Sequence, residues 1–228
     1  MKPNPMANPS DHLLAIENQL VMAAKHFRLE LKRSPFTMKA HLAKLGERHL
    51  AEIGVHLESV LKTFHICSSE NIDPWDDREF FRLSMRTMGL TFPKDFTDHI
   101  RTSDLIEGYN MNRLQIFRNM RFMEISGYSL LEILSMEWTV LYDRPRAITE
   151  RMISLCDNVL WEANRTIVFD VPAHYIRELR SIDRNVYEIK FKHLTPLFIG
   201  PNQPFGMLGT SSIEFIGRET NSDNLSFI

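Results

Sequence analysis

The chain has 228 residues, of which 43% are hydrophobic, and it carries a formal net charge of -2. This length suffices for one or two domains with a buried core. The small net charge gives no electrostatic footprint for nucleic acid or for a membrane surface. Two cysteines, Cys67 and Cys156, are too few for a disulfide framework, which favours a reducing, cytoplasmic location. No apolar run approaches the ~20 residues needed to span a bilayer.

The first ten residues are rich in Pro, Asn, Met and Ala and lead into no apolar core. They predict a disordered start without a secretory signal. Residues 11–97 are predicted to form a helical region, because apolar residues recur at three- and four-residue spacings over 13–31 and 42–64. A third helix is predicted over 76–88, ending at Gly89. We expect this region either to dimerise the chain or to pack on the rest of it as a plain helical subdomain.

The most informative segment is 119–135, NMRFMEISGYSLLEILS, which follows a short apolar run at 114–118. The apolar run predicts a strand, and the mixed helical spacing after it predicts two short helices. Gly127 is predicted to close the first helix in the left-handed conformation. Ser129 and Glu132 are predicted to begin the second helix as a capping box, because the hydroxyl can accept from the third amide while the carboxylate reaches back.

The same segment resembles the signature of PAS sensor domains: an Asn, a Phe three residues later, then Ser-Gly-Tyr-Ser and Glu-Ile-Leu. The resemblance covers roughly residues 98–217 and implies an α+β fold, in which a five-stranded antiparallel sheet with flanking helices follows the N-terminal helical segment. It leaves 218–228 as a polar tail. The elements that it implies, in chain order, are strands at 104–109 and 114–118, a connecting helix at 148–164, and strands at 177–182, 186–198 and 205–215.

The resemblance also implies a pocket between the sheet and its helices, which holds a small organic ligand or none. Met and Phe side chains adapt easily to irregular cavities of this kind. Flavin is disfavoured because Met120 stands where flavin-binding relatives have a reactive cysteine, and haem is disfavoured because the connecting helix has no histidine. The identity of any cofactor stays open. The expected pocket residues share inner-facing positions on the implied elements: Phe117, Met123, Tyr128, Trp138, Ile153, Trp161, Ile189, Phe191 and Met207.

No catalytic or metal-binding pattern is present in the sequence. It has no Gly-x-Ser-x-Gly, no His-Glu-x-x-His and no phosphate-binding Gly-rich loop. His41, His49 and His56 would lie about 10 to 12 Å apart along one helix, which is too far for a single metal ion. These histidines are predicted to lie at a surface or an interface. Cys156 is predicted to be a buried core thiol.

These features predict a non-enzymatic regulator of bacterial signal transduction, a cytoplasmic homodimer that senses a small ligand or a protein partner. The segment 212–215 departs from the Asp-Ile-Thr junction through which most sensor PAS domains signal. The signal is therefore expected to leave through the N-terminal helices or by direct contact with another protein. Two alternatives stay open. One is a transcription regulator in which residues 36–64 contact DNA, although a basic face is missing, and the other is an adaptor that binds only protein.

Overall fold

The computed structural model describes residues 8–162, 165–181, 183–200 and 203–219. Helices and strands alternate irregularly along these ranges, which makes the fold α+β, as the sequence predicts. The helices are α1 (Pro9–His26), α2 (Met38–Leu42), α3 (Glu47–Glu70), α4 (Asp77–Met88), α5 (Phe96–His99), α6 (Met120–Ile125), α7 (Leu130–Ser135), α8 (Trp138–Leu141) and α9 (Arg146–Glu162). The strands are β1 (Leu90–Thr91), β2 (Leu105–Asn110), β3 (Gln115–Arg118), β4 (Tyr142–Asp143), β5 (Ile167–Val168), β6 (His174–Glu178), β7 (Asn185–Ile199) and β8 (Gln203–Arg218).

The N-terminal helices follow the predicted periodicity, with two differences. α1 begins at Pro9, so the last two of the ten residues predicted to be disordered are helical, while the first seven lie outside the described residues. The predicted helix over 42–64 is divided at Gly46, which caps α3 before it begins at Glu47. The third predicted helix is confirmed. α4 begins after the Asp76 cap, whose side chain accepts from two backbone amides, and ends at Gly89, which has a φ of 69°.

The strands form one antiparallel sheet in the order β3-β2-β8-β7-β6-β4, and β1 and β5 both pair with β7. The sheet therefore has eight strands within the described ranges, and the predicted number of five is wrong. The three additional strands, β1, β4 and β5, contain two residues each. Segments this short show no alternation of apolar and polar residues from which a strand could be predicted.

Strand β6 begins earlier than the sequence predicts. It runs from His174 to Glu178 instead of over 177–182, and its pairing with β7 ends at Arg177 and Val186. The chain turns after Glu178 because its carboxylate accepts from the Ser181 hydroxyl at 2.7 Å and from the Gly127 amide at 2.8 Å. The bond from Ser181 closes the turn, and the bond from Gly127 holds the turn against the segment between α6 and α7.

The helical region packs against one face of the sheet, while dimerisation through it stays a prediction. Phe117 of β3 lies between Phe80 and Phe81 of α4, with ring centroids 6.0 and 5.7 Å apart. Phe64 of α3 continues this aromatic cluster, 5.7 Å from Phe80. The four rings are at most 3% exposed. The helices and the sheet therefore share one hydrophobic core.

The turn between α6 and α7 confirms one prediction and corrects another. Ser129 and Glu132 form the predicted capping box, with the Glu132 amide donating to Ser129 Oγ at 3.1 Å and the Ser129 amide to the Glu132 carboxylate at 2.8 Å. The left-handed conformation predicted for Gly127 is wrong, since its φ is not positive. Glycine is required there for space, because a Cβ would lie within 3.0 Å of Glu178 and Ser181. The cause is a tertiary contact and not a helix stop.

Within the described ranges, no helix is both long enough and apolar enough to cross a membrane.

The junction of α4 with the sheet should make stability depend on pH. Asp77 accepts a hydrogen bond from Asn119 Nδ2 at 2.7 Å, and burial raises the pKa of Asp77 to about 6. An acid whose folded-state pKa is raised stabilises the fold fully below its unfolded pKa near 3.8, and this contribution is lost as pH rises through about 6. We therefore expect Asp77→Asn to gain stability relative to the wild type between pH 4 and pH 7.

Urea unfolding at several pH values measures this difference. The matched control is Asp98→Asn, which changes an exposed aspartate in the first turn of α5. A stability difference between the wild type and Asp77→Asn that stays constant from pH 4 to pH 7 would contradict the expected titration.

Candidate functional site

A cavity of about 100 Å³ lies between the sheet and α9. Its floor is made by alternate residues of the central strands, and its roof by one side of α9. The loop after β2 and the segment that leads into α9 complete the lining. The lining residues are Glu107, Tyr109, Met111, Arg113, Trp138, Arg144, Met152, Ile153, Cys156, Asp157, Leu160, Phe169, Phe191, Leu194, Met207 and Gly209.

The alternation of strand side chains explains why the cavity lies on this face. In β2, Glu107 and Tyr109 point to the cavity, while Gly108 between them points to the helices. A Cβ on Gly108 would meet Leu208 at 3.1 Å and Phe117 at 3.2 Å, so these three residues share the opposite face. Strands β2 and β8 therefore have the cavity on one face and the helical region on the other.

Four of the nine predicted pocket residues line the cavity: Trp138, Ile153, Phe191 and Met207. Phe117 and Met123 lie on the other face, where the helices leave a void of only about 10 Å³. Phe117 is placed there because its register partner is Gly108. Tyr128 and Ile189 are buried but do not line the cavity. The side chain of Trp161 lies outside the described residues.

The polar residues of the cavity were not predicted. Glu107 and Tyr109 belong to a strand that is apolar before Asn110 at its end. A carboxylate within such an apolar strand is the signal that could have indicated them. Arg113 and Arg144 lie in connecting segments, where the sequence pattern does not reveal which way a side chain points. Sequence reasoning therefore found the apolar part of the lining and missed its charged part.

Glu107 is held in a buried hydrogen-bond network. Its Oε2 atom accepts from the Tyr109 hydroxyl at 2.5 Å and from Gln115 Nε2 at 2.9 Å. Gln115 Oε1 accepts in turn from Arg118 Nε at 2.5 Å. Burial raises the pKa of Glu107, and the Tyr109 hydroxyl and the charge of Arg144 oppose that rise. The network rigidly fixes the polar floor of the cavity.

Arg144 is the most unusual side chain of the lining. Its guanidinium carbon lies 4.5 Å from the Trp138 ring centroid, and its Nη1 atom contacts the Met152 sulfur at 2.8 Å. The Nε atom is buried without a hydrogen-bond partner. Within the described ranges, neither Arg144 nor Arg113 has a carboxylate within 4.0 Å. Arg144 therefore forms no close ion pair among the described residues, and Glu107 acts on its charge from a longer distance.

Cys156 lines the cavity, whereas His41, His49 and His56 do not. Burial raises the pKa of Cys156 to about 12, so it stays a protonated thiol at neutral pH. His41 lies in α2, whereas His49 and His56 lie in α3. His56 is buried, and its ring centroid lies 6.3 Å from that of Phe205. No group of three or more His, Cys, Asp or Glu side chains in the described part of the chain is placed to hold a metal ion.

Comparison with known proteins does not assign this cavity. No protein-family model matches the chain, and no curated protein matches it significantly. What the site can do follows from its geometry: it can enclose a small molecule with an apolar body and a negatively charged group.

Proposed function

We propose that this chain is a non-enzymatic signal-transduction regulator, in which a PAS-like sheet domain senses a small ligand and the N-terminal helices transmit the signal. One observation carries the proposal. Strands β2 and β8 have the cavity on one face and the helical region on the other. A ligand that moves these strands acts directly on the surface against which the helices pack.

The residues of the PAS-like signature support this proposal, because they join the sheet to the helices. Asn119 Oδ1 accepts from the Phe122 and Ile106 amides, at 3.3 and 3.2 Å. Asn119 Nδ2 donates to Asp77 of α4 at 2.7 Å and to the Asp104 carbonyl at 2.9 Å. One fully buried side chain thus ties β2, α6 and α4 together.

A second polar contact links α3 to the end of β2. Asn110 Nδ2 donates to the Glu52 carboxylate at 2.7 Å, and Asn110 pairs with Gly206 of β8. Asn110 is only 2% exposed. Together with the aromatic cluster of Phe80, Phe81 and Phe117, this contact gives the helices both polar and apolar attachments to the strands that form the cavity floor.

Signalling requires two arrangements of the helices on the sheet that the ligand binds with different affinity. The void on the helix side measures about 10 Å³ against about 100 Å³ on the cavity side. Close-packed cores transmit small displacements, whereas cavities absorb them. Filling the cavity should therefore couple the strands of its floor more firmly to the helices. Ligand occupancy is the physical event that fills it.

Gly209→Ala fills part of the cavity without any ligand. The nearest heavy atoms to the added Cβ lie at 3.7 to 3.9 Å, so the methyl group is accommodated without a clash. Burying one methyl group contributes about 0.8 kcal/mol, so we expect amide exchange in α3 and α4 to slow by up to about fourfold relative to a control Gly→Ala variant without a buried methyl group. Hydrogen–deuterium exchange with mass spectrometry measures this effect.

The matched control is Gly217→Ala in the same strand, where an added Cβ meets no heavy atom within 4 Å. Both variants share the effect of alanine on the unfolded chain, so only the cavity distinguishes them. Slower exchange confined to the strands around residue 209 would count against transmission to the helices. It would favour an adaptor that binds only protein.

A further inference from the structure

We infer that the cavity binds a small organic acid whose carboxylate is held by Arg144, in a lining that also contains Arg113. This inference deepens the proposed function and rests on it, because it names the chemical class of the ligand. It makes Arg144 the residue that determines ligand specificity.

The geometry of Arg144 carries the inference. A guanidinium presents its donors in a fixed fork that matches a carboxylate with two parallel hydrogen bonds. Here the buried Nε has no hydrogen-bond partner, and Nη1 contacts only the Met152 sulfur. Buried polar atoms are nearly always hydrogen-bonded in folded proteins. An acid in the cavity would supply the acceptor that this arginine lacks.

The two acidic residues of the lining, Glu107 and Asp157, do not supply this acceptor. Glu107 faces the same cavity, but its Oε2 atom already accepts from Tyr109 and Gln115, and among the described residues it forms no ion pair with Arg144 within 4.0 Å. Asp157 lines the cavity from α9, but it is exposed and likewise lies beyond that distance. Arg144 therefore interacts with Glu107 only beyond ion-pair distance, and its Nε donor remains available to a ligand.

The size and polarity of the cavity limit the rest of the ligand. A cavity of about 150 Å³ accommodates benzene, so one of about 100 Å³ suits about four to six non-hydrogen atoms. Its remaining walls are mainly apolar, including Leu160, Phe169, Phe191 and Leu194. An acid with three or four carbon atoms meets both conditions.

Calorimetric titration of the full chain at pH 7 tests the inference, with propionate and butyrate compared with their neutral amides, propionamide and butyramide. We expect at least one acid to bind about tenfold or more tightly than its amide, as expected for a hydrogen-bonded charge. Arg144→Gln should abolish this preference. The matched control is Arg146→Gln, two residues away, whose side chain is 92% exposed and paired with Glu150 at 2.7 Å. That variant should retain the preference.

Arg144→Lys keeps the inference testable if the glutamine variant does not fold. Lysine retains the charge but loses the paired donors, so the preference for acids over amides should fall without vanishing. Equal binding of acids and amides by the wild type, or an unchanged preference in either Arg144 variant, would overturn the inference and leave a sensor of neutral ligands. Binding of none of the four compounds would also overturn it, while the exchange experiment on Gly209→Ala still tests the proposed function independently.

Discussion

Replacing Gly206 with alanine is expected to lower the free energy of unfolding by about 3 kcal/mol or more, among the largest effects of any single methyl group in this chain. A Cβ on Gly206 would lie within 3.0 Å of the Tyr109 carbonyl group and the Asn110 Cα atom. All these atoms belong to the backbone of β2. No flexible side chain can move aside, so strands β2 and β8 must separate.

Urea unfolding measures this loss, and β8 also contains a control position. Gly217→Ala adds the same methyl group in open space and should change stability by less than about 1 kcal/mol. Because Tyr109 also lines the cavity, Gly206→Ala should disturb the cavity floor as well as the sheet. Equal stability of the two variants would show that β2 and β8 do not approach each other as closely as described.

Replacing Arg118 with methionine is expected to cost about 3 to 5 kcal/mol. Arg118 is 1% exposed and donates to Gln115, to Ser126 at 2.5 Å and to the Tyr142 hydroxyl at 2.7 Å. Methionine fills much of the same space but leaves these acceptors without their donor. The loss of stability should therefore be larger than the loss caused by replacing a buried apolar residue with another of similar size.

The same substitution should make stability more dependent on pH. Burial raises the pKa of both Glu107 and Glu178, and the charge of Arg118 opposes that rise. An acid with a raised folded-state pKa stabilises the fold at low pH and loses this contribution as pH rises. Without Arg118 both pKa values should rise further, so the variant should be destabilised more at pH 8 than at pH 5.

Thermal or urea unfolding at both pH values measures the effect of Arg118→Met. The control is Arg121→Met in α6, which removes an exposed arginine with no hydrogen bond to the buried network. It should change stability by about 0.5 kcal/mol or less. A loss in Arg118→Met no greater than that of this control would refute the role given to the buried network.

Local signals in the sequence predicted the elements that depend on local chemistry. The capping box of Ser129 and Glu132 and the helix stop at Gly89 need only neighbouring residues, and both are present. The need for glycine at 127 could not be predicted correctly, because it arises from Glu178, which lies 51 residues away along the chain. A tertiary contact of this kind leaves no local pattern.

The candidate site shows the same division. Phe191 and Met207 were placed in the cavity because strand alternation indicates a shared face. Phe117 was misplaced because the register of β3 against β2 decides its face, and register cannot be read from a strand of four residues. Arg144 was missed because its direction is set by its contacts with Trp138 and Met152, which only the folded chain provides.

The central claim is that the cavity and the N-terminal helices are coupled through β2 and β8. Amide exchange in α3 and α4, compared between Gly209→Ala and Gly217→Ala, tests this claim most directly, because it requires neither a known ligand nor a known partner. The coupling predicts slower exchange over residues 47–70 and 77–88 in Gly209→Ala than in Gly217→Ala. Identical exchange of both helices in the two variants would contradict it.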